Sequence, residues 1–326
     1  MEHAIASNIM LHLEENNIIT PFQHGFRRNH SCDTQLAALL YDLTNNYDHS
    51  IQTDLILLDL AKAFDTVSHT RLLYKLDWYG IRNQALQWIK SFLTNRYQNV
   101  VVESTCSTKV PVVSGVPQGT VLGPILFLVY INDLPDVIKY SHVRLFADDC
   151  ILYKQVLSTS DAQKLQSDLD SLYHWAETWL MRFNTSKCHV MHITQAKLNR
   201  TNFSYNLSGN SLNVMNESKY LGVTIQSNLK WKSHVLNVSV KANRILSLLR
   251  RNLRSAPKAI RELSYISLVR PVLEYACPVW CPWLSQDINQ LEKVQRRAAR
   301  FVADNYSPYA SVSKIIDDLQ WTSLEQ

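Results

Sequence analysis

The chain has 326 residues, 46% of them hydrophobic and 19% charged, with only seven glycines; this excludes a disordered or low-complexity protein and suits one large core or two to three subdomains. Six scattered cysteines without a Cys-x-x-Cys pair argue against a disulfide framework and for a reducing compartment, nuclear or cytoplasmic. The start, Met1-Glu2-His3-Ala4, lacks a signal-peptide pattern, and the longest apolar run, Val121 to Ile131, is too short to span a membrane.

Helical periodicity runs from Ala4 to Glu15 and is stopped by Asn16-Asn17 and Pro21. After a loop over Gln23 to Arg28, a second helix opens at Ser31 or Asp33 and runs to about Tyr47. Asp54 to Leu60 has the length and apolar content of a buried strand, and it leads into helices at about 69–78 and 83–94. Tyr97 to Glu103 and Thr108 to Val113 alternate as a hairpin. Ser114 to Gly119 is a turn before an apolar helix from about Val121 to Asn132. His142 to Tyr153 reads as a hairpin interrupted by Asp148-Asp149, and an amphipathic helix follows from about Asp161 to Phe183. Short strands are expected near 188–193, 203–207, 211–214 and 219–226. Beyond Trp231 the pattern is wholly helical, punctuated by Pro257, Pro271, Pro278 and Pro282. This order predicts an α+β fold with a small antiparallel sheet backed by helices.

The net charge of +5 conceals an asymmetry. Residues 230–300 hold 14 Lys and Arg against four Asp and Glu, a local +10 that leaves the rest of the chain near −5. A basic region beside an acidic one suits an enzyme that grips a phosphate backbone with one part and metal with the other. Arg244, Arg250, Arg251 and Arg254 are the best candidates for backbone contact, although they fall on two helical faces. Trp231, Trp280 and Trp283 read as packing anchors rather than stacking platforms. Cys277 and Cys281, with no second ligand pair nearby, read as packed thiols and not as half of a zinc site.

Two acidic signatures stand out against apolar surroundings. One is Leu57-Leu58-Asp59-Leu60-Ala61-Lys62-Ala63-Phe64-Asp65, and the other is Leu145-Phe146-Ala147-Asp148-Asp149-Cys150. Like charges in such runs are costly unless a cation neutralises them. Hard oxygen ligands that leave room for water and phosphate suit Mg²⁺, and two such ions a few ångströms apart catalyse phosphoryl transfer. Asp59 and Asp148, from different strands, would meet at one end of the sheet and share both metals. Because strand side chains alternate, only one of Asp148 and Asp149 can point straight at that cluster.

The segments Leu58 to Val67, Gly115 to Pro124 and Phe146 to Asp149 resemble successive palm motifs of reverse transcriptases. Asn184-Thr185-Ser186-Lys187-Cys188 and Tyr220-Leu221-Gly222-Val223 complete the ordered series, and Gln23-His24-Gly25-Phe26-Arg27 with Ser31 resembles the fingers motif that precedes them. The wording is most similar to LINE-type, non-LTR retrotransposon polymerases of the jockey group, directly over residues 1–230. The helical tail to Arg300 looks like the thumb of the same proteins.

That resemblance implies a right-hand polymerase. Residues 1–53 would be partial fingers, 54–230 a palm with an inserted fingers hairpin, and 231–326 a basic helical thumb. It implies RNA-directed DNA synthesis with two Mg²⁺ ions, Mn²⁺ being an alternative, on an RNA template and a DNA primer with dNTPs. No membrane and no obligate protein partner are implied. Asp59 and Asp148 would be metal ligands and Asp149 a lesser one. Phe64 would be the gate that excludes a ribonucleotide's 2′-hydroxyl. Lys187 would be a cation near the triphosphate, and Arg27 a phosphate clamp for which a forked guanidinium is suited. Pro117 fixes a turn and Gly119 permits close backbone approach, so that the Gln118 amide can contact sugar or base. The upstream fingers segment and an endonuclease domain are missing from the pattern, which reads as a truncated copy. A non-catalytic fragment that retains nucleic-acid binding is therefore the competing reading. A viral-type RNA polymerase is disfavoured by Phe64 and by Phe146-Ala147 where Gly-Asp-Asp would be expected.

Overall fold

The computed structural model describes residues 1–195 and 201–324, which separate into two compact units, Met1–Met215 and Asn216–Gln326. The first unit opens with α1 (Glu2–Glu15) and α2 (Cys32–Asp48). α2 starts where a reciprocal cap forms. Ser31 Oγ accepts from the Thr34 amide at 3.2 Å, and Thr34 Oγ1 accepts from the Ser31 amide at 2.9 Å. Such caps contribute about 1 kcal/mol.

β1 (Thr53–Leu58), α3 (Ala63–Thr66), α4 (His69–Trp78) and α5 (Asn83–Leu93) follow. Where one hairpin was expected, the chain forms β2 (Tyr97–Gln98), β3 (Val101–Val102), β4 (Thr105–Cys106) and β5 (Val110–Pro111). β2 pairs with β5 and β3 with β4. All eight residues are exposed, so no buried face holds one continuous register.

α6 (Leu122–Ile131) is apolar on every side and buried at nearly every position, as a helix inside a core must be. β6 (His142–Phe146), β7 (Asp149–Gln155), α7 (Thr159–Thr178), β8 (His189–Ile193), β9 (Asn206–Leu207), β10 (Asn210–Ser211) and β11 (Asn213–Val214) complete the unit. α7 stops short of the expected Phe183. Leu180 takes φ +56°, and the amides of Leu180 and Met181 turn back to the carbonyls of Glu177 (3.2 Å) and Ala176 (2.8 Å). This is a Schellman stop made without the usual glycine.

The main sheet has the order β11-β8-β1-β7-β6. Its pairings are antiparallel except β11, which runs parallel to β8, so the sheet is mixed rather than purely antiparallel. β1 lies at its centre with all six residues buried, because both faces are covered. Ile56 and Leu58 join a core shared with α1, α4, α5, α6 and α7. The alternate residues Leu55 and Leu57 point to the other face, where α2 packs on β1 and β6. The one charge in this strand, Asp54, is fully satisfied. It accepts from His192 Nδ1 (2.6 Å), Gln52 Nε2 (2.8 Å) and the Tyr205 hydroxyl (2.6 Å).

The second unit begins with a hairpin, β12 (Glu217–Tyr220) and β13 (Val223–Gln226), turning at Leu221-Gly222 where one strand was expected. The break between the two compact units thus falls before this hairpin. α8 (Lys232–Asn252), α9 (Lys258–Leu268), α10 (Arg270–Glu274), α11 (Cys277–Trp280), α12 (Ser285–Ala303) and α13 (Val312–Asp318) follow. Trp231 and Trp280 are buried, and the Trp280 ring meets His234 edge-on at 4.4 Å. Trp283, in contrast, is exposed, as are Cys277 and Cys281, which do not pack as thiols in a core. Among the described residues no helix is long and apolar enough to cross a membrane.

Candidate active site

The β1–β7 register ends at Leu58↔Cys150, and the β6–β7 hairpin ends at Phe146↔Asp149. One step beyond β1, that register brings Asp59 abreast of Asp149, beside the Ala147-Asp148 turn. Asp59 is fastened on its other side by the loop before β8. Its carbonyl accepts from the Asn184 amide at 2.7 Å, and its own amide donates to Cys188 Sγ at 3.4 Å. Burial pushes the Cys188 thiol up to about 11, so it serves as a packed acceptor and not as a thiolate ligand.

Asp59 and Asp148 line one cavity of about 440 Å³ together with Phe64, Asp65, Gln118, Asn184 and Lys187. The loop that carries Gln118 is laced to α3. The amides of Gly115 and Val116 donate to the carbonyls of Val67 and Phe64, both at 2.8 Å. A Cβ on Gly115 would lie 2.8 Å from the Asp65 carbonyl oxygen, so only glycine permits this approach. Gln118 Nε2 in turn donates to Asp65 Oδ1 at 2.8 Å, which holds the amide at the cavity wall. Phe64 is half-buried, stacked on Phe127 at 4.3 Å and approached edge-on by Phe26 at 6.5 Å.

The electrostatics are those of crowded carboxylates. Burial, and then the charge of Asp59, raise the Asp148 carboxyl above its ordinary value, with Lys187 acting in the opposite direction. Asp149 is pushed up to about 6, first by the loss of surrounding water and then by Asp148 and Asp59. Its side chain still reaches solvent, which screens part of this effect. Lys187 Nζ stands 3.3 Å from Asp59 Oδ2 and is itself largely exposed.

The structure thus brings together Asp59, Asp148, Phe64, Gln118 and Lys187. Asp149 adjoins the cluster without lining the cavity, and Gly119, at φ +77°, stands clear of neighbours beside Gln118. Arg27, the expected phosphate clamp, does not line this cavity; its Nη1 donates to the carbonyls of Thr20 (3.1 Å) and Gln23 (3.3 Å) and braces its own loop. Arg250, Arg251 and Arg254 meet in the second unit around a separate cavity of about 780 Å³, and Arg244 lies outside it. Asn184 and Gln23 are the polar residues near the aspartates to which no contact had been assigned. Asn184 was flagged only by its place in a motif, and Gln23 had no signal beyond its own.

The set of oxygen donors fits a hard divalent cation. Among the described residues no three His, Cys, Asp or Glu side chains close into a ready-made cage. Mg²⁺ characteristically uses one or two carboxylates and takes its remaining ligands from water and substrate phosphates. Two raised carboxyls beside Asp59, with one lysine as their counter-charge, match that description.

Asp149→Asn should melt above the wild type in metal-free buffer at pH 7. Because the folded carboxyl binds its proton more tightly than the ordinary value of 3.8, its contribution to stability is present at low pH and lost as pH rises through about 6. The gap in Tm between variant and wild type should therefore close on lowering the pH from 7 to 4. A pH-independent gap would contradict the raised Asp149 carboxyl.

A mixed, helix-backed sheet that presents two aspartates from neighbouring strands to one cavity defines a right-hand polymerase fold. The chain belongs to the reverse transcriptase (RNA-dependent DNA polymerase) family, whose model matches residues 1–225. It is 29% identical over 323 residues to the RNA-directed DNA polymerase from mobile element jockey of Drosophila melanogaster, covering 93% of this chain and 34% of that protein. It is 28% identical over 320 residues to the probable RNA-directed DNA polymerase from transposon BS of the same fly, again covering 93% and 34%. The chain thus spans about a third of the length of these curated relatives. Telomerase from Candida albicans, solved with a TWJ fragment of telomeric RNA, superposes with a TM-score of 0.54 at 12% identity, over 98% of this chain and 58% of that one. At that identity the likeness is one of fold.

Proposed function

We propose that this chain is the polymerase core of a LINE-type retrotransposon reverse transcriptase. It extends the 3′-hydroxyl of a DNA primer with dNTPs on an RNA template. The observation that carries this reading is the convergence of Asp59 and Asp148 on a cavity walled by Phe64, Gln118 and Lys187. Asp59 and Asp148, with Asp149 in a lesser part, would hold two Mg²⁺ ions, for which Mn²⁺ can substitute. When bound, such ions acidify the attacking hydroxyl and neutralise the departing pyrophosphate.

The protein's own groups have separate tasks. Phe64 closes the space beneath the sugar, and Gln118, held by Asp65, offers its amide to the nucleotide. Lys187 leaves Asp59 for the triphosphate, a short move for an exposed ammonium. Residues 1–53 serve as partial fingers, 54–230 as palm and 231–326 as thumb, the hairpin 217–226 being anchored in the thumb's compact unit. Primer extension on poly(rA)·oligo(dT) tests the reading. Metal-dependent incorporation of dTTP well above UTP is expected, and no incorporation, or equal use of UTP, would overturn it.

The thumb's grip is expected at Arg250, Arg251 and Arg254. They share their cavity with Arg261 and Tyr306, over whose ring the Arg250 guanidinium lies at 5.1 Å. The one carboxylate there, Asp304, pairs with Arg261 at 3.4 Å. Replacing all three arginines by glutamine should weaken binding of an RNA–DNA hybrid and flatten its salt dependence. Each lost phosphate contact removes about 0.9 from the slope of log K against log salt. An unchanged slope would move the nucleic-acid surface elsewhere.

A further inference from the structure

The turn that carries Asp148 does not hold its own shape. Ala147, which starts it, sits at φ +52°, a left-handed conformation that is uncommon and costly for a residue with a Cβ. What grips it is one side chain from 124 residues earlier. Gln23 Oε1 accepts from the Ala147 amide at 2.8 Å, and Gln23 Nε2 donates to the Ala147 carbonyl at 3.3 Å. A single carboxamide thus binds both polar atoms of the strained residue. The same Oε1 accepts from the Gly25 amide at 2.7 Å, which fixes the carboxamide's orientation. Gln23 is 2% exposed, so water does not compete for these bonds.

The backbone around Gln23 is locked to the same place. Leu145 donates to the Phe22 carbonyl, and His24 donates to the Leu145 carbonyl, both at 2.9 Å, forming a parallel bridge at Gln23. A Cβ on Gly25 would stand 2.3 Å from the Ala147 nitrogen, so the segment seats against the turn only because that Cβ is missing. Arg27 closes the loop from behind by donating to the Gln23 carbonyl.

The geometry points to Gln23 as a positioning residue: through Ala147 it fixes where the Asp148 carboxylate stands, and hence the cation site and the rate of the polymerase reaction. This rests on the reading of Asp59 and Asp148 as metal ligands. A shift of about 1 Å in a reacting array can cost on the order of 100-fold in rate, and Gln23 controls the backbone one residue away from such a group.

The test uses Gln23→Leu, which keeps the bulk and loses every hydrogen bond, and Gly25→Ala, which leaves Gln23 intact but wedges the segment off the turn. Hydrogen exchange at the Ala147 amide reads the clamp directly, and Mn²⁺ binding followed by electron paramagnetic resonance reads the cation site without catalysis. Both variants should keep a cooperative melt while Ala147 exchanges at least tenfold faster and Mn²⁺ binds at least tenfold more weakly. In extension, kcat should fall by about 10- to 100-fold with KM for dNTP changed much less, whereas a merely structural defect would lower the active fraction and leave the Mn²⁺ affinity of the folded protein alone. Wild-type exchange and Mn²⁺ affinity in Gln23→Leu would overturn the inference. If the wild-type chain binds Mn²⁺ but extends no primer, the polymerase reading fails and the clamp is still decided by the affinity ratio. If it binds none, both fall.

Discussion

Asparagine in place of Asp59 or Asp148 should abolish primer extension while leaving the fold intact. Each substitution keeps the shape and removes one charge from the cavity. The ions such carboxylates hold stabilise the charge of phosphoryl transfer by several kcal/mol, and each 1.36 kcal/mol is tenfold in rate, so a loss of about 10³-fold or more is expected. The two variants should differ in one respect. Asp59→Asn also strips Lys187 of its partner at 3.3 Å, while Asp148→Asn removes a repelling neighbour from Asp149. Asp148→Asn should consequently melt at or above the wild-type temperature in metal-free buffer. Single-nucleotide incorporation measured beside thermal melts checks both points. Extension within tenfold of wild type in either variant would remove that residue from the metal site.

The second large effect concerns the choice of sugar. Phe64 both lines the cavity and stacks on Phe127, so shrinking it to valine acts in two places. Opening the wall should raise UTP incorporation relative to dTTP by about 10- to 100-fold, the range in which pockets discriminate by small changes of volume. Losing the stack should cost stability, by about 1–2 kcal/mol for a ring that is only half-buried. Competition between UTP and dTTP separates the roles. A variant that loses stability but keeps the wild-type ratio would make Phe64 a core residue alone.

The sequence disclosed the residues whose physics is local. β1 was legible because a strand covered on both faces must be a continuous apolar run. Asp59 and Asp148 were legible because charges in such runs need a reason. The end of α7 was hidden, since its stop is built on Leu180, a residue that carries no turn signature. The interrupted 97–111 ladder was hidden by a good alternation that no core enforces. The local role of Arg27 was hidden for a related reason: a guanidinium suits phosphate and carbonyl alike, and only the fold shows that its Nη1 holds the Thr20 and Gln23 carbonyls. Gln23 was least legible of all, because a glutamine in a polar loop looks solvated until its partner, 124 residues away, is known.

The segment at Gln23 has one more consequence, for solubility. β6 ends one side of the main sheet, and a bare edge strand offers unpaired amides and carbonyls to any passing chain. Leu145, next to the last residue of that edge strand, is already taken on its outer side by Phe22 and His24. The opposite edge is β11, only two residues long and a poor template. Trimming the chain back past residue 25 would therefore bare β6 and invite edge-to-edge aggregation, so a preparation that precipitates after N-terminal proteolysis would be reporting an uncapped sheet.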